Sequence, residues 1–501
     1  MKTNTLDFDA QALRERILDL AMRGKLVPQD PNDEPAIVLL EKIKAEKEEL
    51  VKEKKIKKSK PLPAITDDEK PFDIPDSWEW VRLGDVFDIT SSKRVMKSEW
   101  REEGIPFYRA REIVSIKNHQ KLKDPIFISK DTYEEKLKVS GRPQVDDILL
   151  TGVGTLGIPY VVSTNKDFYF KDGNIMWLRN IKKINPDFIS YYVQSPYMLK
   201  IINNGRGTTV ATLTIVRAKS LLVPLPPLSE QSRIAAKIAQ LFALLRKVES
   251  STQQYAELQT LLKSKVLDLA MRGKLVKQDP NDEPASVLLE KIKAEKAELI
   301  KEKKIKKSKP LPPITDEEKP FDIPDSWEWV RLGNITHFVG TGMVVPASKQ
   351  YNTPKSNMVP YFKMNNIGNW DGKFNTNNLV YIIEDDKTDK YLLKPGQLLF
   401  NTRNSRELVG KTTVVPANLN QKIVSNNNIL RIESFHNMKL DYLNYYLISS
   451  ASRNHFLKLT TATTNVAAIY QKQLINCLVP LPPIAEQRRM VNKILDLYKL
   501  I

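Results

Sequence analysis

The chain holds a single cysteine, Cys477, in 501 residues. No intramolecular disulfide can form, and no zinc cluster can be built from thiolates. Its four histidines, His119, His337, His436 and His455, are scattered without ligand spacing, which points to core or surface roles and no metal site. No apolar run approaches the ~18–20 residues that cross a bilayer. The start, from Met1 to Ala10, is polar and acidic where a signal peptide is basic and then apolar. A cytoplasmic location and no membrane partner are therefore expected. Catalytic signatures are missing as well. No Asn/Asp-Pro-Pro-Phe/Tyr segment of the adenine methyltransferase kind occurs, although Phe338-Val-Gly340-Thr-Gly342 has the spacing of that chemistry's cofactor-binding segment. Gly410-Lys411-Thr412 ends like a phosphate-binding loop, but Ser405 stands where the first glycine is required. The acidic residues lie mostly in helical segments that occur twice, whereas nuclease chemistry needs clustered carboxylates. No catalytic residue and no cofactor or metal of its own are expected for this chain.

What the chain has in excess is positive charge. With 78 Lys and Arg against 60 Asp and Glu its formal net charge is +18, which calls for a polyanion, a membrane surface or an acidic partner. Glu41–Lys60 and Glu290–Lys309 together hold 18 lysines against 9 glutamates, half of that excess. Lysine-rich helical faces are often merely solvated, so these stretches carry no assignment from composition alone.

The chain is also a repeat, and the repeat is circular. Leu18–Gly84 aligns with Leu267–Gly333 at a constant offset of 249, with six differences in 67 positions. Leu222-Val-Pro-Leu-Pro-Pro with Glu230-Gln231 recurs 256 residues later as Leu478-Val-Pro-Leu-Pro-Pro with Glu486-Gln487. Between these near-identical frames lie two dissimilar inserts, roughly 86–220 and 335–476. After Pro227, apolar residues at Ile234, Ile238, Leu241, Leu245, Val248, Tyr255, Leu262, Val266 and Leu269 follow a 4–3 spacing, the pattern of a coiled-coil seam, up to Gly273. Met490, Ile494, Leu497 and Ile501 repeat the beginning of that seam, and Leu13, Ile17, Leu20 and Gly24 repeat its end. The two chain ends are thus expected to meet, to lie antiparallel to the unbroken central helix, and to place one insert at each pole of a pseudo-two-fold rod.

The division that follows is an N-terminal helix (1–27), a Lys/Glu-rich connector (28–77), a first insert domain (78–227), a central long helix (228–276), a second connector (277–326), a second insert domain (327–483) and a C-terminal helix (484–501). Each insert opens with Trp-Glu-Trp-Val-Arg-Leu-Gly as a strand entering a turn. Short β-rich runs follow, Ile148–Thr151, Tyr160–Val162 and Asn174–Arg179 in one, Leu398–Phe400, Thr412–Val415 and Asn428–Ile432 in the other. Helical stretches come late, at Pro186–Asn203 and Leu440–Lys458. The fold class is α+β, with two mixed α/β domains separated by a pair of long antiparallel, coiled-coil-like helices.

Polar, small and basic residues gather at matching points of the inserts. The first has Arg109 and Arg111, Thr151 and Thr155, and Arg206, Thr208 and Thr209. The second has Lys363, Asn365 and Asn366, then Asn401, Arg403, Asn404 and Ser405, then Thr463, Thr464 and Asn465. Arginine pairs with guanine, asparagine with adenine, and threonine with phosphate or a thymine methyl, so these sets are the expected double-stranded DNA contacts. Lys93, Arg94, Lys97 and Lys349 are the expected phosphate contacts. A coiled-coil adaptor for acidic proteins is the alternative; it has no use for divergent inserts.

The Trp-Glu-Trp-Val-Arg-Leu-Gly opening, the Val-Pro-Leu-Pro-Pro…Glu-Gln close, the Leu-Ala-Met-Arg-Gly-Lys-Leu helix end and their circular order resemble the specificity subunits of type I restriction–modification systems, over nearly the whole chain. The resemblance implies that each insert is a target recognition domain reading one half of a split, asymmetric DNA site, and that the helices fix the spacer. It also implies two modification subunits docked on the frames and restriction subunits beyond them. Adenine methylation with S-adenosylmethionine and cleavage with ATP and Mg would then take place in those partners.

Overall fold

The computed structural model describes residues 8–181, 183–204, 212–463 and 466–501. The chain divides into two units, Met1–Thr252 and Gln253–Ile501. The boundary falls inside a 44-residue helix, Leu228–Met271, about 66 Å long at 1.5 Å per residue.

In the first unit the helix Ala10–Met22 begins where Asp9 accepts the Ala12 amide, satisfying one of the free N–H groups of its first turn. It runs antiparallel to the first half of the long helix: Arg14 bonds Glu249 at 2.9 Å, and Gln29, past its other end, bonds Glu230 at 2.6 Å. Leu18, Ala21 and Met22 bury against Ile234 and Ile238 in the unit's main core. Burial of this kind stabilises by about 1.5–3 kcal/mol per large side chain. The helix stops at Gly24, whose φ is +65° and where an added Cβ would sit 2.4 Å from Pro75, so only glycine fits.

The second unit repeats the arrangement with the other chain end. Ile484–Leu500 runs antiparallel to the second half of the long helix, with Gln259 donating to the Ile501 carbonyl and the Tyr498 hydroxyl donating to the Lys263 carbonyl at 3.3 Å. Met490 and Ile494 pack with Val266, Leu267 and Ala270. The expected seam is therefore buried at its two ends. Its middle is not: Val248, Tyr255 and Leu262 are 43%, 52% and 51% exposed, because each terminal helix covers only part of the long one within its unit.

The opening and closing motifs of each insert pair with one another. Glu79–Arg82 lies antiparallel to Leu222–Leu225, and Glu328–Arg331 to Leu478–Leu481 in the same register. Each pair gathers the two ends of its insert onto the frame.

Inside the inserts, unrelated sequences build one topology. The first insert has a four-stranded antiparallel sheet in the order Phe87–Thr90, Ile175–Asn180, Ile148–Thr151, Pro159–Val161. The second has Thr336–Thr341, Ile429–Ser434, Leu398–Asn401, Thr412–Val414 in the same order. Both middle strands of each sheet are buried over at least their first four residues, most of them apolar, as a strand covered on both faces requires. A second sheet, absent from the sequence expectations, also recurs. In it Ile105–Tyr108 pairs in parallel with Tyr169–Phe170, and Met358–Phe362 with Val424–Ser425. Each late helical stretch is two helices. Ser195 caps Pro196–Asn203 after Pro186–Val193, and Ser449 caps Ser450–Leu459 after Asp441–Ile448. The serine hydroxyl takes a new helix's free amide and so starts a second axis.

Candidate nucleic-acid interface

Buried polar contacts fix each insert domain on its frame. The Trp78 indole N–H donates to Glu230 at 2.9 Å, and Trp327 donates to Glu486 at 2.9 Å. Burial raises both carboxyls above their ordinary range against the pull of the indole and glutamine donors. Arg82 ties the opening strand to Glu69 at 3.0 Å, as Arg331 does to Glu318 at 2.9 Å.

In the first domain Lys93, Arg94 and Lys97 are exposed on the loop after the edge strand Phe87–Thr90. Arg94 lies 3.5 Å from Asp172 and is 75% exposed. Arg109 and Arg111 converge on one buried carboxylate, Glu112, at 2.6 Å each. Burial pushes that carboxyl up, and the hydrogen bonds from Arg109 and Arg111 outweigh it and hold it below the ordinary range. Arg109 is largely covered, with its guanidinium 5.8 Å from the Trp100 ring centre, whereas Arg111 is 56% exposed. Thr151 is fully buried. Its hydroxyl donates to the Thr155 carbonyl and accepts the Ile158 amide at 2.9 Å, so it shapes the turn that presents the exposed Thr155. Arg206, Thr208 and Thr209 lie outside the described residues.

In the second domain the structure brings two of the expected sets together. Arg403–Asn404 pairs with Val466–Ala468, which pairs in turn with the strand Thr461–Thr463; Thr464 and Asn465 fall outside the described residues. Asn401 is fully buried; its amide donates to the Arg403 carbonyl at 3.0 Å, and its oxygen accepts from Asn404 at 2.9 Å. Asn404 in turn accepts the Ser405 amide at 2.9 Å. This network leaves the Arg403 side chain exposed. Arg403 lines a cleft of about 680 Å³ with Thr402, Asn427, Asn428, Gln471 and Lys472. Two apolar side chains, Val344 and Tyr470, also line it and are 73% and 53% exposed. Guanidinium, amides, ammonium and an aromatic ring on one concave wall make a surface that can hydrogen-bond base edges, stack on them and hold phosphate.

The third expected set attaches elsewhere, to the Met358–Phe362 sheet. Lys363 donates to Gln350 at 2.9 Å, Asn366 is buried and donates to the Asn377 carbonyl at 3.1 Å, and Asn365 and Lys349 are exposed. Thr151, Asn366 and Asn401 therefore use their polar groups inside the protein and hold loops in place. The sequence reading missed Asn427, Asn428, Tyr470, Gln471 and Lys472. The asparagine run Asn426-Asn427-Asn428 was the available signal for the first two. Lys411, the lysine of the loop-like Gly410-Lys411-Thr412, is buried, its ammonium bonding the Ile367 carbonyl at 2.8 Å. Phe338–Thr341 of the cofactor-like segment belongs to an edge strand.

A family model described as the type I restriction modification DNA specificity domain matches residues 75–259 and 324–501. The chain belongs to that family. The two matched segments take in both insert domains with their opening and closing motifs, and the DNA-specificity role follows from them; an adaptor for acidic proteins finds no support. The chain is 32% identical to the EcoAI type I restriction enzyme specificity subunit of Escherichia coli, over 98% of this chain and 89% of that one. It is 30% identical to the EcoEI specificity subunit of Escherichia coli, over 98% and 90%. A solved chain from the type I R-M system matches with a TM-score of 0.54 at 22% identity, over 86% of this chain and 92% of that one; the likeness is one of fold. No described helix is long and apolar enough to cross a membrane.

Proposed function

We propose that the chain reads a split, asymmetric target in duplex DNA, one half with each insert domain, and so directs adenine methylation and ATP-dependent cleavage by its partners. The observation that carries this reading is the pairing of one sheet order with two different sets of exposed polar residues, held in duplicated frames. A scaffold alone has no need of unlike surfaces at equivalent places. Two modification subunits dock on the two frames, and restriction subunits complete the assembly in the cytoplasm. S-adenosylmethionine, ATP and Mg serve in those partners. The long helix fixes the distance between the half-sites.

In this reading Arg403, Asn427, Asn428, Tyr470, Gln471 and Lys472 face one half-site. Lys93, Arg94, Lys97, Arg111 and Thr155 face the other, and Thr151, Asn366 and Asn401 position the loops. Methylation-site sequencing of a host expressing the whole system tests it. The expected result is one motif of two unlike parts separated by unspecified bases; a palindromic or continuous motif contradicts it.

A further inference from the structure

The positive charge is concentrated in two small places. Lys52–Lys60 and Lys301–Lys309 each hold six lysines against one glutamate, so the two tips carry a net +10 of the chain's +18. Each tip follows a 17-residue connector helix, Ala36–Lys52 or Ala285–Lys301, and both end in the same turn. The Lys55 amide donates to the Leu50 carbonyl and the Lys304 amide to that of Leu299, both at 2.9 Å. Lys54 and Lys303 take the left-handed conformation there, with φ of 59° and 57°. That position favours glycine, and Gly24 and Gly273 occupy it at the ends of the neighbouring helices. At the tips a strained lysine stands in its place. Ile56 and Ile305 are half-buried just past the turns, which ties the tips to the fold.

The tip lysines all face solvent. Lys55 pairs with Glu53 and Lys304 with Glu302, each at 2.8 Å; among the described residues the other five of each tip have no acidic partner. Attraction to the helix C-terminus accounts for the lysines of the last turn and cap. It does not account for Lys57, Lys58 and Lys60, or for Lys306, Lys307 and Lys309, which lie beyond the reach of that dipole. Unpaired ammonium groups on an ordered turn create a field that a polyanion relieves. A compact charge on a flexible stem suits phosphate oxygens and gives no base discrimination.

We propose that the two tips, Lys52–Lys60 and Lys301–Lys309, are phosphate-binding sites that grip duplex DNA whatever its base sequence. The proposal rests on the DNA reading above and adds a separate, non-specific grip to it. The test replaces Lys54, Lys57, Lys58 and Lys60, with Lys303, Lys306, Lys307 and Lys309, by glutamine, and by arginine as the charge-keeping control. Each variant is co-expressed with the modification subunits, and its binding to target and to random duplex is titrated across salt concentrations. The expected result is weaker binding to both duplexes with an unchanged ratio between them. The slope of log affinity against log salt should be shallower by about 0.9 for each phosphate that is no longer neutralised, and arginine should restore it. An unchanged slope overturns the proposal. So does failure of the glutamine variant to assemble with the modification subunits, which would make the tips a docking surface for an acidic partner protein. If the wild-type complex prefers no duplex, the DNA reading itself fails, whatever the tips do.

Discussion

The two frames and the two insert domains answer to different constraints. The frames differ at six of 67 aligned positions and repeat each other's contacts closely: Arg233 meets Asp33 and Arg489 meets Asp282 at 2.5 Å. The insert domains keep a strand order, a parallel strand pair in a second sheet and a late pair of helices, but little sequence. Where one has Thr151 buried in a threonine–glycine turn, the other has Asn401 buried in an asparagine network beneath Arg403. In both the strand end is held by a buried polar side chain, and the residues it presents differ. Topology is conserved within the molecule while the presenting loops diverge, as expected when loops carry function on a rigid scaffold.

That contrast can be broken or sharpened by substitution. The largest effect is expected in the frames. Trp327 is 4% exposed and Trp78 3%, so Trp327→Ala should destabilise its unit by about 3–5 kcal/mol, and Trp78→Ala should match it. Thermal unfolding of the assembled complex measures both; a markedly unequal pair of effects would break the equivalence of the frames. Next comes Arg403→Ala, which leaves the core intact. It should cost about 1–3 kcal/mol of discrimination, confined to one half-site, read by binding to duplexes substituted base by base. Uniform weakening on every duplex would make Arg403 a phosphate contact instead.

The smallest effect is one of pH. Glu230 and Glu486 have folded-state carboxyls raised by burial. Their contribution is therefore full below the unfolded glutamate value and is lost as pH rises through the raised folded one. Glu230→Gln and Glu486→Gln should each remove part of that loss, so stability relative to wild type improves from acid toward neutral pH. Denaturation midpoints measured along that range check it, and a gain that grows toward acid contradicts the assignment.

The frames were legible in the sequence because duplication exposes them. Two constant offsets, 249 and 256, aligned Trp78 with Trp327 and Glu230 with Glu486, and periodicity pointed to a long helix over 228–276, which in the structure runs from Leu228 to Met271. The second sheets were not legible. Trp100–Arg101 is two residues long, too short to show alternation, and the parallel pairing of Phe107 with Tyr169 depends on contacts far apart in sequence. Basic and amide residues in loops pointed to the region of Arg403, which is exposed and lines a cleft. They could not tell Arg403, exposed, from Asn401, buried, because loop backbone needs internal polar partners as much as a ligand does. Tyr470, Gln471 and Lys472 escaped notice because they lead into the short helix Gln471–Ile475 just before the repeated closing motif.

The measurement that bears most directly on the central claim is methylation-site sequencing of a chimera. Residues 86–220 are replaced by the corresponding insert of another family member, and the chimera is co-expressed with the unchanged partner subunits. Two readers acting independently on one scaffold predict that a single half of the motif changes while the other half and the spacing stay as they were. Alteration of both halves, or of neither, contradicts the account.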